Sequence, residues 1–371
     1  MHLGNCGSHM NGKFWKDKRV LITGHTGFKG SWLTYLLSDL GAIVFGVSNS
    51  DMGPLSLYNV LDCRAKLVNH QLKLLEFYDI RDLDSLSEIV GNFEPEIAFH
   101  LAAQPLVVSA YKDPLSTYST NVLGTINLLE SLKRNATIRS VISVTTDKVY
   151  RNHNDDFSYT ESDALGGYDP YSASKACADL ITQSYYNSYL QERGVGVSCV
   201  RAGNVIGGGD WSENRLIPDI IRSIMAGSKL FLRNADATRP WQHVLDPLAG
   251  YMLLAEKLYE NPTQFSLPVN FGPIVSEVLS VREVVEKTLS FFDTDYDYEC
   301  TTEEFYESKK LSLDCTRAHL LLDWVPVWSA DEAIKRTAEW YKSYIERQDL
   351  HEITSAQIND YRSKMSFGKE N

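Results

Sequence analysis

Cysteine is sparse and scattered. The six, Cys6, Cys63, Cys177, Cys199, Cys300 and Cys315, include no Cys-x-x-Cys pair, which argues against a zinc ribbon or a dense disulfide framework and suits reduced, mostly buried thiols. No cluster has metal-ligand spacing, so no metal is expected. No apolar run reaches the ~20 residues that a membrane-spanning helix needs, and the first residues lack an apolar signal core. The expected location is the cytoplasm, with no membrane partner. Positive charge is also short: 36 Lys plus Arg face 48 Asp plus Glu, a formal net charge of −12, and without a basic block nucleic acid is not an expected partner. An acidic chain that binds an anion must do so with local cations and helix N-termini.

What remains is an ordinary globular composition, 371 residues with 43% hydrophobic and 11% aromatic, enough for one large or two moderate domains. Gly7-Ser8-His9-Met10 reads as the remnant of a cleaved tag, so residues 1–11 are set outside the fold. Short apolar runs alternate with amphipathic ones. Arg19–Gly24 reads as a buried strand, followed by Leu33, Leu36, Leu37 and Leu40 at helical spacing before Gly41. Strands are also expected at Ile43–Ser48, Leu74–Asp79, Ile97–Ala103, Ser140–Thr146 and Val197–Val205, giving an α/β fold with a doubly wound parallel sheet. After about residue 206 the rhythm breaks at Gly207-Gly208-Gly209-Asp210-Trp211. The expected division is a dinucleotide-binding domain over 12–205, with return segments near 240–275, and a smaller, interleaved lobe that accounts for most of 206–371. Ile217, Ile220, Ile221 and Ile224 predict a helix in that lobe, Pro268–Gly272 a strand returning to the main sheet, and the polar tail from about Gln348 carries no clear signal of order.

Gly24-His25-Thr26-Gly27-Phe28-Lys29-Gly30 reads G-x-x-G-x-x-G between a predicted strand and a predicted helix. Glycine allows a tight turn and a close approach of backbone N–H groups to a pyrophosphate, while the helix presents its positive end to that anion. This is the Rossmann-like arrangement. Between Lys29 and Arg64 there is no Lys or Arg to meet a 2′-phosphate, so NAD is favoured over NADP. The second strand ends in Ser48-Asn49-Ser50, without the usual acidic partner for the ribose, which points to modest affinity. His25 and Lys29 either touch the pyrophosphate or face solvent.

Tyr171 and Lys175 stand at i and i+4 on one helical face. A phenol is a poor base at neutral pH, but a neighbouring ammonium and an oxidised nicotinamide both favour the phenolate, which can then accept a hydroxyl proton during hydride transfer. Thr146, expected at the tip of the fifth parallel strand, is placed to hydrogen-bond the same hydroxyl. A second pair with this spacing, Tyr306 and Lys310, sits in a charged late segment and reads as surface.

Over nearly its whole length the chain resembles the extended short-chain dehydrogenase/reductase family. Thr-Gly-x-Thr-Gly-Phe-x-Gly, His100-Leu101-Ala102-Ala103, Asn121-Val122-x-Gly124-Thr125, the Thr146/Tyr171/Lys175 triad and Arg201-x-Gly203-Asn204-Val205 all occur in the family's order. Thr146-Asp147-Lys148 resembles the signature of its nucleotide-sugar 4,6-dehydratases, most of which carry Glu where Lys148 stands. Gly-Gly-Gly-Asp-Trp and Arg239-Pro240-Trp241-Gln242-His243-Val244 resemble the members acting on CDP-glucose, and that resemblance alone implies cytosine as the base. It also implies NAD held by the glycine turn with Asp79, Ile80 and Ala102. Oxidation at carbon 4 would precede loss of water across carbons 5 and 6 and return of the hydride to carbon 6, a step in deoxysugar and O-antigen synthesis. Tyr171, with Thr146 and Lys175, would take the hydroxyl proton. Asp147 would be the acid, and Lys148 the base or proton relay; an ammonium acting as a base needs burial or a neighbouring positive charge, and the rival role is electrostatic support of the enolate. Asn204, Arg215, Arg233 and Arg239 would hold the sugar nucleotide. A homodimer through helices near 115–134 and 171–192 is implied as well. A 4-epimerase would share all but the Asp147–Lys148 pair, and a non-catalytic dinucleotide-binding scaffold would not need the triad.

Overall fold

The structure is a computed structural model, and it describes residues 12–67, 77–153, 157–232, 234–273, 278–292, 298–300 and 311–367. Six strands form one parallel sheet: β1 (Arg19–Thr23), β2 (Ile43–Val47), β3 (Ile97–His100), β4 (Ser140–Val144), β5 (Gly196–Ala202) and β6 (Val269–Phe271). Their order is β6-β5-β4-β3-β1-β2. The predicted strand at Leu74–Asp79 is not among them: residues 77–79 are coil, and 74–76 lie outside the described residues. Thr146 therefore stands beyond the fourth strand of the sheet and not the fifth. An apolar run of this length signals burial without fixing the ladder partner that makes a strand.

Side chains alternate across the sheet as the two-residue period demands. Val20, Ile22, Val44, Ile97, Phe99 and Ile142 enter one apolar core, and Leu21, Phe45, Ala98 and Val141 enter another on the opposite face. The first core is covered by α1 (Phe28–Asp39) and the almost wholly buried α6 (Leu245–Glu260). The second takes Leu86 and Ile89 of α2 (Leu83–Phe93) and Leu128 and Leu132 of α3 (Gly124–Lys133). α4 (Pro170–Tyr185) carries the Tyr–Lys pair, and α5 (Leu216–Ala226) presents the predicted isoleucine face. Each such aliphatic side chain contributes about 1.5–3 kcal/mol by leaving water.

The last segments close over this frame. β6 returns to the sheet as expected, pairing with β5 from Val269 opposite Val200. α7 (Ala330–Ile345) and α8 (Leu350–Phe367) follow, so the polar tail is helix through Phe367. Trp340 Nε1 donates to Thr354 Oγ1 at 2.9 Å, and Tyr361 Oη donates to Asp246 Oδ1 at 3.0 Å. Those long-range bonds are what the polar sequence of the tail conceals.

β1 lies between β2 and β3, so the chain reverses direction across the sheet there. Such a switch point opens a crevice outside the carboxyl ends of the strands.

Candidate active site

The crevice begins where β1 runs into Gly24, at φ +75°. A Cβ here would lie 2.6 Å from the backbone N of Ala102, and one on Gly30 would lie 2.0 Å from Gly24 O, so the turn closes only with glycine. α1 starts at once behind it, with Gly27 as N-cap and no side-chain cap, which leaves its first N–H groups free for an anion. Asn49 and Ser48 line the ribose end of the same cavity, whereas Asp51 turns away to accept from Gly53 N at 3.0 Å. The acid-free strand end expected from the sequence is what the cavity presents. Asp79 and Ile80 also line it; the Asp79 carboxylate is paired with Arg81 at 2.5 Å and held below its ordinary pKa by that guanidinium.

One cavity of about 640 Å³ runs from this turn to the second lobe, and it is lined by every predicted site residue except two. Arg233 lies outside the described residues. His25 is a correction: its ring faces neither pyrophosphate nor solvent but is buried at 1% exposure, edge-on to Tyr58 and against Gly46. Burial pulls its pKa down to about 4, opposed by a bond to the Val47 backbone. A polar residue in a turn gives no sequence sign of which way it points. Lys29 turns into the cleft, where loss of hydration, then Arg215 and Lys175, lower it to about 7 against the pull of Asp147.

Beyond β4 the chain stays extended, and Thr145 N donates to Val200 O at 2.9 Å. Thr146 then caps a single 3₁₀ turn, Asp147–Val149, by accepting from Lys148 N at 3.4 Å. Its Oγ1 also donates to Asp147 Oδ1 at 2.9 Å. Asp147 is 1% exposed, and its Oδ2 has no hydrogen-bond partner; a Cβ on Gly203 would stand 2.0 Å from that oxygen. Lys148 Nζ lies 3.7 Å from Oδ1 at the cavity wall.

α4 starts with Asp169 accepting from Ser172 N and Pro170 in its first turn, which presents Tyr171 and Lys175 to the cavity. Burial pushes Tyr171 up to about 12, while a hydrogen bond with Thr146 and the charge of Arg215 work the other way. Lys175 is buried, donates from Nζ to Val144 O at 2.7 Å, and is lowered to about 8 by loss of hydration. One turn further, Asp179 holds Arg201 through two bonds of 2.9 and 2.8 Å and accepts from Thr145 Oγ1 at 3.2 Å. The Asn121 motif serves the same alignment: Asn121 Nδ2 donates to Ser174 Oγ at 2.8 Å, and Thr125 Oγ1 meets His100 Nε2 at 3.0 Å.

From just beyond β5 comes Asn204, and from later segments Arg215 and the 4%-exposed Arg239. Sequence reasoning missed Asp210, whose Oδ2 lies 3.5 Å from Arg215 Nη1; it sits inside the Gly-Gly-Gly-Asp-Trp motif, but nothing local identifies its partner. It also missed Tyr251, a buried phenol without a hydrogen bond whose pKa is raised by burial and by nearby Asp147.

A switch-point crevice with a glycine turn, a Tyr–Lys pair and a Thr at the strand tip defines a dinucleotide-dependent enzyme of the extended short-chain dehydrogenase/reductase type. More narrowly, the chain belongs to the GDP-mannose 4,6 dehydratase family, whose model matches residues 21–337. It is 42% identical over 356 residues to the CDP-glucose 4,6-dehydratase of Salmonella typhimurium, covering 94% of this chain and 98% of that one. Identity to the dTDP-glucose 4,6-dehydratase of Haemophilus influenzae is 25%, over 87% of this chain and 97% of that one. Among solved structures, the dTDP-glucose 4,6-dehydratase of Bacillus anthracis in complex with NAD superposes with a TM-score of 0.71 at 25% identity, covering 89% of this chain and 98% of that one. The UDP-glucose 4-epimerase of Thermotoga maritima, with UDP-glucose, shares the fold at a TM-score of 0.75 and 21% identity over 88% of this chain and 99% of that one.

Proposed function

We propose that the protein is an NAD-dependent CDP-glucose 4,6-dehydratase, yielding CDP-4-keto-6-deoxyglucose and water. The observation that carries this reading is the placement of Asp147 and Lys148 in one cavity with Thr146, Tyr171 and Lys175, since an epimerase has no hydroxyl to expel. The 42% identical relative supports the choice of CDP-glucose.

The cradle fits NAD: Gly24, Gly27 and Gly30 with the first N–H groups of α1 suit the pyrophosphate, and Asn49, Asp79 and Ile80 suit the adenosine end. NAD bound there supplies an acceptor for the carbon 4 hydrogen and its return to carbon 6. Tyr171 takes the proton of the carbon 4 hydroxyl, with Lys175 and Arg215 supplying positive charge that favours its phenolate. Lys148 removes the carbon 5 proton, which is acidic once carbon 4 is a ketone, and later delivers a solvent-exchanged proton back to that carbon. Asp147 protonates the departing carbon 6 hydroxyl from a buried position that keeps its proton from bulk water. Arg215 and Arg239, with Asn204, hold the sugar nucleotide's pyrophosphate and sugar.

The division of labour that fits this reading places the dinucleotide in residues 12–205 with β6, and the sugar nucleotide mainly in the lobe formed by 206–371. Both ligands belong to the cytoplasm. Leu115, Leu123, Leu180 and Tyr189, exposed by 80, 53, 55 and 49%, lie on the 114–133 and 170–190 helices and support a second copy of the chain as partner there. Sedimentation should give a dimer, and Leu180→Arg a monomer; a monomeric parent protein would remove that proposal.

The test of function is mass spectrometry of purified protein with NAD and, separately, CDP-, dTDP- and UDP-glucose and GDP-mannose in deuterated water. Loss of water from CDP-glucose with one deuterium at carbon 5 is expected. Loss of water from another sugar nucleotide only would overturn the base assignment, and inversion at carbon 4 without mass loss would make the protein an epimerase.

A further inference from the structure

The proton balance of the proposed reaction leaves two groups in the wrong state. Carbon 5 loses a proton to Lys148 and regains a solvent-exchanged one from it, and the carbon 4 hydrogen ends on carbon 6, so the only proton that the sugar gives up on balance is that of the carbon 4 hydroxyl. Tyr171 receives it. The only proton consumed completes the departing water, and Asp147 gives it. After each turnover Tyr171 therefore holds one proton too many and Asp147 one too few, although the overall reaction neither releases nor takes up a proton.

The two groups that must exchange flank a single side chain in one cavity. The Thr146 hydroxyl stands beside the Tyr171 phenol, close enough to lower its pKa, and donates to Asp147 Oδ1 at 2.9 Å. Its backbone is fixed by the extended stretch beyond β4 and by the 3₁₀ turn that it caps. All three side chains are enclosed, at 9, 6 and 1% exposure for Tyr171, Thr146 and Asp147, so exchange with bulk water is obstructed at both ends. Asp147 Oδ2 has no bond, which leaves Oδ1 as the oxygen reached from Thr146.

We propose that Thr146 is a proton relay that resets the site: its O–H proton passes to Asp147 Oδ1 while the Tyr171 proton passes to Thr146 Oγ1. One O–H bond breaks and one forms at Thr146, which is left neutral, and the products are the phenolate and the carboxylic acid that the next turnover requires. No co-reactant is needed. The transfer belongs to the loaded site, because without the cofactor's charge burial holds Tyr171 at about 12. Lys148, 3.7 Å from Oδ1, is the competing proton source for Asp147, but it must return a proton to carbon 5.

The relay rests on the dehydratase reading, so wild-type turnover of CDP-glucose is measured first; a wild type that removes no water ends both. Given turnover, rapid quench of the NAD-loaded Thr146→Val enzyme should show a burst of about one product per site. Later turnovers should be about 100-fold slower, a loss typical of a missing proton transfer, and should carry a solvent deuterium isotope effect. Thr146→Ser should abolish the burst and restore most of the steady rate. Equal slowing of the first and later turnovers in the Val enzyme would reduce Thr146 to a holder of the carbon 4 hydroxyl and overturn the relay, and so would unslowed later turnovers. The contact itself is read without catalysis: in cofactor-free protein, Thr146→Val should move phenolate formation at Tyr171, identified against Tyr171→Phe, to higher pH. No shift would remove the first link.

Discussion

Asp147 is held in place as much by an absence as by contacts. Gly203 stands where any β-carbon would meet its Oδ2 at 2.0 Å and its Cγ at 2.6 Å, and Gly203 O is itself held by Gln242 Nε2 at 3.1 Å. Gly203→Ala should leave cofactor binding intact and lower kcat by about 100-fold, the cost of losing a positioned acid; dinucleotide titration beside steady-state kinetics checks both halves. At this scale the sequence was legible in that Thr146, Asp147 and Lys148, singled out by a family resemblance, line one cavity. It was not legible for His25 or Asp210, because the direction of a side chain depends on what packs beside it: Tyr58 and Gly46 for the first, Arg215 for the second.

α4 carries the Tyr–Lys pair on the same face as its anchor. Tyr171, Lys175 and Asp179 follow at four-residue intervals, and Asp179 binds Arg201 on β5 and Thr145 beyond β4, while Arg201 Nη1 donates to Tyr150 Oη at 2.9 Å just past the Asp147–Val149 turn. One buried ion pair therefore registers the helix against both the strand tip and the turn. Asp179→Ala strands a guanidinium that is 1% exposed and should cost about 3–5 kcal/mol in urea unfolding. Asp179→Leu combined with Arg201→Met should recover much of that loss, since it leaves no unpaired charge. Tyr–Lys spacing predicted the helical face, but the anchor pair is 22 residues apart in sequence and is brought together by the packing of α4 against β5.

Among the described residues, three buried histidines are kept neutral. Burial lowers His25 to about 4, and His100 and His243 to about 3. Between those values and about 6.5 the unfolded chain binds more protons than the native one, so stability falls as pH falls through that window, by about 1.4 kcal/mol per pH unit for each histidine fully within it. Urea midpoints from pH 7 to 4 should drop steadily, and His100→Gln should flatten the slope. A slope unchanged by that substitution would show that His100 does not contribute.

Alternating apolar runs and the glycine turn made the parallel α/β fold and its cradle legible in the sequence alone, because each depends on local periodicity or on backbone freedom at fixed positions, while the proposed reacting groups came from the family resemblance. Only the tertiary structure decided which runs pair. The return of β6 to the sheet was already legible in Pro268–Gly272, whereas Leu74–Asp79 supplies no strand that the structure describes and the polar tail becomes α8 through Phe367. Those outcomes depend on ladder partners and buried hydrogen bonds between residues distant in sequence, which no local pattern records.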